Sequence, residues 1–260
     1  MSSDIQRGTT VQKSVLQATD EAQAYWDQIY ENSTYSREID YRMQNALDCA
    51  RTFFGVTRGR RLLDLGCGAG ATSIYWASTG AEVTSIDRSA SAIAALGQLC
   101  EKNKITNIHP VVGDAMTIDH LGQFDCVFGA MILHHLEPFG EFAAAMRRTV
   151  SPSGKAFFLE NNANEILVWF RSNIVGKYGV PKYGDKDEFP LAPQEVDKLR
   201  EFFNVEVEVP EMLFFELASK YLFKWRFASV MKATDKFLYR HNLARRYSYL
   251  QHLMLDKLPT

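Results

Sequence analysis

No stretch of this 260-residue chain approaches the roughly 18 consecutive apolar residues of a membrane-spanning helix. An integral membrane protein is therefore not expected. The leading run MSSDIQRGTTVQKSVLQATDE is polar and of mixed charge, without the apolar stretch of a secretory signal. The expectation is a soluble, cytoplasmic protein. Cysteine is scarce and scattered: Cys49, Cys67, Cys100 and Cys126 lack the paired spacing of a zinc site or a redox motif. Reduced thiols and no bound metal follow as expectations. No internal repeat or low-complexity tract is present, which argues against a solenoid or a disordered chain.

What is present is the composition of a globular domain, 46% hydrophobic and 23% charged, with enough length to bury one substantial core and carry an appendage. Net charge is only −2, yet it is unevenly spread. From Ser219 onward nine Lys and Arg face two acids, a local +7, while residues 1–218 carry −9. Such asymmetry reads either as an anionic partner or as a basic helix resting on an acidic body.

Residues 11–55 have helical patterning, with plausible caps at ATDEAQAYWDQIY and apolar spacing in REIDYRMQNALDCARTFF. Strands and helices then alternate. RLLDLG precedes a helix over ATSIYWAS, AEVTSID precedes one over SAIAALGQLCEKN, IHPVVGD follows, FDCVFGAM precedes EFAAAMRRTV, and GKAFFLE closes the series. Strands apolar throughout at this rhythm belong in a parallel sheet covered on both faces. Residues 161–193, rich in Gly, Pro, Asn and charge, are too long for an ordinary connection and are expected to hold a helix around ILVWFRSNIV. A helix over APQEVDKLREFF and two strands, VEVEVP and MLFFEL, then return the chain to the sheet as an antiparallel pair. The predicted fold is α/β and doubly wound: a mostly parallel seven-stranded sheet with an antiparallel last strand, preceded by N-terminal helices. Residues 1–218 form its domain, and residues 219–260 a basic helical extension.

LLDLGCGAGATS, Leu62 to Ser73, is an apolar strand closed by an acid and a glycine turn. Read as Gly66, Gly68 and Ala71 it fits a dinucleotide fingerprint. Read as Asp64, Gly66, Gly68 and Gly70 it fits S-adenosylmethionine, which has no phosphate and carries an ammonium and a sulfonium. Asp64 would repel a pyrophosphate but could hold the cationic end directly or through water, and that favours the second ligand. Three further features stand at the C-terminal ends of successive strands, where ligands bind in such sheets. Asp87 can accept two ribose hydroxyls. Asp114 and Ala115, in GDAM, can receive an adenine amino group and offer a backbone N–H. FGAMILHHL, Phe128 to Leu136, closes the next strand.

With these motifs in this order the sequence resembles the class I S-adenosylmethionine-dependent methyltransferases, within the broad group of ubiquinone and menaquinone methyltransferases. The resemblance runs from about Tyr25 to Ser153 through YWDQIY, LLDLGCGAG, SIDRS, GDAM, FDCVFGAMILHHL and VSPSGK. It implies a Rossmann-like fold and a cofactor lined by Asp64, Gly66, Cys67, Gly68, Asp87, Arg88, Asp114, Ala115 and Ala130. It also implies that residues 161–193 cover the active site.

Methyl transfer is an in-line displacement, so the protein mainly orients the reactants and needs a base only where the acceptor must lose a proton. His134 and His135 are the candidates; adjacent histidines point in different directions, so one of them is expected to support a loop. Glu160, Asn161 and Asn164 follow the fifth strand, where Glu160 could orient an acceptor. Tyr25, Trp26 and Tyr30 could close over a sulfonium by cation–π contact or simply pack a helix. The reading is methyl transfer to oxygen or nitrogen of a small or lipid-like acceptor, with a quinone-like carbon acceptor as an alternative. An NAD(P)-dependent oxidoreductase leaves Asp64 and GDAM unexplained, and a non-catalytic cofactor-binding protein remains a further alternative. No nucleic acid is expected as partner, since the Asn/Asp-Pro-Pro-aromatic run that grips a flipped base is missing. Lys232, Lys236 and Arg240 recur every four residues beside Phe227, Met231, Phe237 and Leu238, a pattern suited to peripheral membrane contact.

Overall fold

The computed structural model describes residues 39–174, 177, 190–224 and 226–259. Residues 11–38 of the expected N-terminal helical region, with Tyr25, Trp26 and Tyr30, lie outside these residues, as do residues 175–176 and 178–189 of the covering segment. Helix α1, Tyr41–Phe54, starts where the Asp40 side chain accepts the backbone N–H groups of Arg42 and Met43, and it ends at Gly55 with φ +72°. Ala46, Ala50 and Phe54, four residues apart, bury one stripe of it.

Strands β1 (Arg61–Leu65), β2 (Glu82–Asp87), β3 (Ile108–Val112), β4 (Phe124–Ala130), β5 (Val150–Asn161), β6 (Phe203–Glu208) and β7 (Leu250–Lys257) form one sheet in the order β3-β2-β1-β4-β5-β7-β6. The first five run parallel, and β7 lies antiparallel between β5 and β6. Helices α2 (Ala71–Ser78), α3 (Ala90–Asn103), α4 (Phe139–Thr149), α5 (Glu165–Asn173), α6 (Pro193–Arg200), α7 (Phe215–Phe223) and α8 (Ala228–Arg240) are the remaining α-helices among the described residues. Successive strand residues point to opposite faces, and both faces are covered. Leu63, Val127 and Phe158 enter one core with Phe142 and Met146, while Leu62, Phe128 and Phe157 enter the other with Trp76. In the second core Phe54, Trp76, Phe128 and Phe157 make a chain of ring contacts at 5.5, 5.4 and 6.1 Å between centroids.

The seventh strand is not Met212–Leu217. Met212 and Leu213 are buried in a connection, and Phe215–Phe223 is helix. A short apolar run cannot tell strand from helix by periodicity. What decides here is Asp235, 20 residues later, whose carboxylate accepts the N–H groups of Phe215 and Glu216 and so caps α7 from a distance. The sheet is completed instead by LQHLMLDK, so the segment after Ser219 is not helical to its end. In β7, His252 is 1% exposed, its ring lies 5.0 Å from that of Phe157, and its Nδ1 has no hydrogen-bond partner among the described residues. Burial pulls its pKa down to about 4.

The topology gathers the connections at one end. The parallel strands β1–β5 all finish there, and β7 begins there, with Leu250 opposite Asn161. β6 finishes at Glu208, opposite His252. Residues 209–249, with α7 and α8, therefore leave and rejoin the sheet at the edge where doubly wound folds bind ligands.

Candidate active site

β1 ends in a turn hung from its neighbour: the N–H groups of Gly66 and Cys67 both donate to the Ile86 carbonyl, at 2.9 and 3.1 Å. Gly66, Gly68 and Gly70 have φ of +68°, +51° and +87°. At Gly70 a Cβ would stand 2.3 Å from Leu96 Cδ1, so the start of α2 admits glycine alone without repacking.

Asp64 lies beneath this turn and is 1% exposed. Its Oδ2 accepts the hydroxyls of Thr72 at 2.7 Å and Ser73 at 2.6 Å, and the Ser85 hydroxyl donates in turn to Ser73 Oγ at 2.8 Å. Burial raises the Asp64 pKa to about 6; the two hydroxyls oppose that rise and the charge of Asp87 adds to it. Asp87, at the end of β2, accepts the Gly68 N–H on Oδ2 at 2.8 Å and the Ser89 N–H on Oδ1 at 2.9 Å. The carboxylate expected to receive a ribose thus also ties β2 to the glycine turn. Burial pushes the Cys67 thiol well above its usual range, with Asp64 and Asp87 adding to the effect, so this cysteine is a wall and not a nucleophile.

Asp114 accepts the Met116 N–H at 2.9 Å at the head of the 3-10 turn Ala115–Leu121, and it pairs with Arg88 at 3.9 Å. Ala115 is buried and Ala130, ending β4, is half-buried. Asp64, Asp87, Arg88, Asp114, Ala115 and Ala130 therefore all stand on or just after the ends of β1 to β4 at one edge, with Gly66, Cys67 and Gly68 in the intervening turn.

The second constellation differs from expectation. Glu160 lies inside β5 with its side chain 0% exposed, not on the rim. Its Oε1 accepts the N–H groups of Ile132 at 2.8 Å and Leu133 at 2.6 Å, and its Oε2 meets His134 Nδ1 at 2.7 Å. Three donors converge on one buried carboxylate, which fixes the turn after β4. His134, its side chain 1% exposed, is thereby the histidine that supports the loop. The geometry corrects both Glu160 and His134 from acceptor-facing groups to positioning groups. His135 is half-exposed, with its ring 4.1 Å from that of His134. Asn161 is buried, and the Asn164 amide donates to the Ser248 carbonyl at 3.2 Å. Thr72, Ser73 and Ser85 are the members of the site that the sequence reading missed; hydroxyls within reach of a strand-end acid were the available signal.

Residues 62–154 match a family model described as a methyltransferase domain. The chain is 36% identical over 107 residues to the ubiquinone biosynthesis O-methyltransferase of Aromatoleum aromaticum, a match covering 41% of this chain and 46% of that protein. The alignment thus spans about half the length of the curated relatives. Among solved structures, the DhpI–SAH complex superposes with a TM-score of 0.59 at 17% identity, covering 94% of this chain and 98% of that one. The cyclase SpnF superposes at 0.57 with 17% identity, covering 87% and 86%. Such likeness establishes the Rossmann-like methyltransferase fold, which hosts more than one chemistry.

Proposed function

We propose that this chain, whose residues 62–154 match a methyltransferase-domain model, is a class I S-adenosylmethionine-dependent methyltransferase that moves a methyl group from S-adenosylmethionine to oxygen or nitrogen of a small or lipid-like acceptor. The observation that carries the proposal is the pair of carboxylates at the glycine turn. The charge of Asp87 adds to that of the buried Asp64, and residues 62–73, from the strand through the turn into the helix, contain no Lys or Arg. A pyrophosphate would lie over the Asp64 charge, whereas an ammonium or a sulfonium would be attracted to it; Asp87 would accept the ribose hydroxyls of either ligand. The residues present therefore fit this cofactor.

When bound, S-adenosylmethionine supplies the electrophilic methyl carbon. Asp87 would accept its ribose hydroxyls, Asp114 and Ala115 would meet the adenine, with Arg88 held beside them, and Asp64 would supply negative potential beneath the cationic end. Glu160 and His134 hold the turn that carries His135. A ring nitrogen of His135 would take the proton from an acceptor hydroxyl; an amine arriving neutral would need no such base. Oxygen is favoured because the relatives are named as O-methyltransferases. A quinone-like precursor is an acceptor of the proposed kind, and the basic C-terminal region would give the peripheral membrane contact that such an acceptor requires.

The test is calorimetry with S-adenosylhomocysteine and, separately, with NAD. Binding of the first and none of the second is expected. Asp87→Ala removes charge-assisted hydrogen bonds worth about 1.5–3 kcal/mol, so binding should weaken roughly 10- to 150-fold. Tight NAD binding with none of the homocysteine product would overturn the proposal.

A further inference from the structure

Resting on the lipid-like acceptor, we infer that the α7–α8 hairpin is a docking surface for an anionic lipid bilayer, placed so that the acceptor enters the site from the membrane. Its location is set by the sheet: residues 209–249 sit at the edge where β1–β5 end. Its outer face is apolar. Phe227, Val230 and Phe237 are 54%, 68% and 57% exposed; at 100° per residue Val230 and Phe237 fall on one flank of α8, and Phe227 immediately precedes its first residue. Phe223 joins them with an edge-to-face contact to Phe227 at 5.6 Å.

The charges are sorted by sign. The three acids of residues 209–249 form an inward network. Glu211 and Glu216 pair with Arg42 at 3.6 and 3.4 Å, Glu216 also meets Lys232 at 3.8 Å, and Asp235, 2% exposed, caps α7. Lys224, Arg226, Lys236 and Arg240 are exposed and have no ion-pair partner among the described residues. A face of exposed aromatic and aliphatic groups flanked by bases, with every acid turned away, complements anionic headgroups over acyl chains. A helix that lies in the interface is the geometry left open, since among the described residues no helix is long and apolar enough to cross a membrane.

Each base near an anionic bilayer contributes about fivefold in partitioning. The full chain is sedimented with vesicles of phosphatidylcholine alone and with vesicles of two parts phosphatidylcholine to one part phosphatidylglycerol, with S-adenosylhomocysteine binding measured beside it. Lys232 is left intact because its contact with Glu216 holds the hairpin. The expected result is salt-sensitive binding to the anionic vesicles only. R226Q/K236Q/R240Q should weaken it by about a hundredfold, and F227S/V230S/F237S should also release the protein, with cofactor-product binding unchanged in both variants. Three outcomes would overturn the inference: no preference for phosphatidylglycerol, equal binding by parent and charge variant, or a dimer that F227S/V230S/F237S converts to monomer, which would make this face a contact between copies. Absence of S-adenosylhomocysteine binding with vesicle binding intact would instead overturn the cofactor reading alone.

Discussion

Replacing Asp64 by asparagine should stabilise the protein at neutral pH while impairing its proposed ligand site. The Asp64 carboxyl titrates near 6 in the folded protein, against 3.8 when solvated. The folded state therefore takes up a proton between those two values, and stability falls as pH rises from about 4 through about 6. Above pH 7 the full cost of the buried charge is present, roughly two pKa units or about 3 kcal/mol. The asparagine would carry no charge, and its amide oxygen can still accept the Thr72 and Ser73 hydroxyls. Its NH2 replaces the second carboxylate oxygen, and burying that donor returns about 1–2 kcal/mol of the gain. The variant should thus be more stable than the parent by about 1–2 kcal/mol at pH 8 and less stable by a similar amount near pH 4. Urea unfolding of both proteins across that range gives the difference curve, in which groups not coupled to Asp64 cancel. His252 makes the curve visible in a second way. Its folded pKa of about 4 lies below the usual 6.5, so it costs stability as pH falls through the same interval. In the parent the Asp64 and His252 slopes oppose each other; with the Asp64 slope removed, the variant should lose stability more steeply than the parent as pH falls through this interval. A difference between variant and parent that stays constant from pH 4 to pH 8 would refute this account of Asp64. Binding of S-adenosylhomocysteine should weaken at least about tenfold in the variant, a loss of about 1.4 kcal/mol.

Glu160→Ala strips three buried donors of their acceptor and should cost about 3–5 kcal/mol in chemical denaturation. A loss below about 1 kcal/mol with turnover abolished would show instead that this carboxylate touches the acceptor. His135→Ala should lower turnover of a hydroxyl acceptor by about a hundredfold and leave S-adenosylhomocysteine affinity nearly unchanged. Intact turnover would make His135 a structural residue, and an equal loss of cofactor-product binding would indicate a damaged turn.

The parallel half of the fold was legible because burial on both faces forces β1 to β5 to be apolar throughout, and one intervening helix, α3, carries its own cap at Ser89. The strand-end acids were legible for the same reason: Asp64, Asp87 and Asp114 interrupt apolar runs. The C-terminal third was not. MLFFEL has the content of a strand, but its state is decided by Asp235 from another helix. LQHLMLDK hides its strand character behind Gln251 and His252, polar residues that are buried because the Gln251 amide donates to the Asn161 carbonyl and the His252 ring packs on Phe157. The division of labour between the two histidines was equally hidden. Nothing local separates His134 from His135; a carboxylate on a strand 26 residues later does.

The insertion of β7 between β5 and β6 sets an order of assembly during synthesis. Residues 250–257 occupy a slot flanked by strands made about 90 and about 40 residues earlier. Until they leave the ribosome, β5 presents an unpaired edge, and β6 has no neighbour in its own sheet. The five parallel strands can condense as the chain emerges, because each pairing closes a loop already made. The antiparallel side cannot. A nascent chain stalled before Leu250 should therefore expose a sheet edge and a bare apolar face, the kind of surface that chaperones retain and that pairs with other chains.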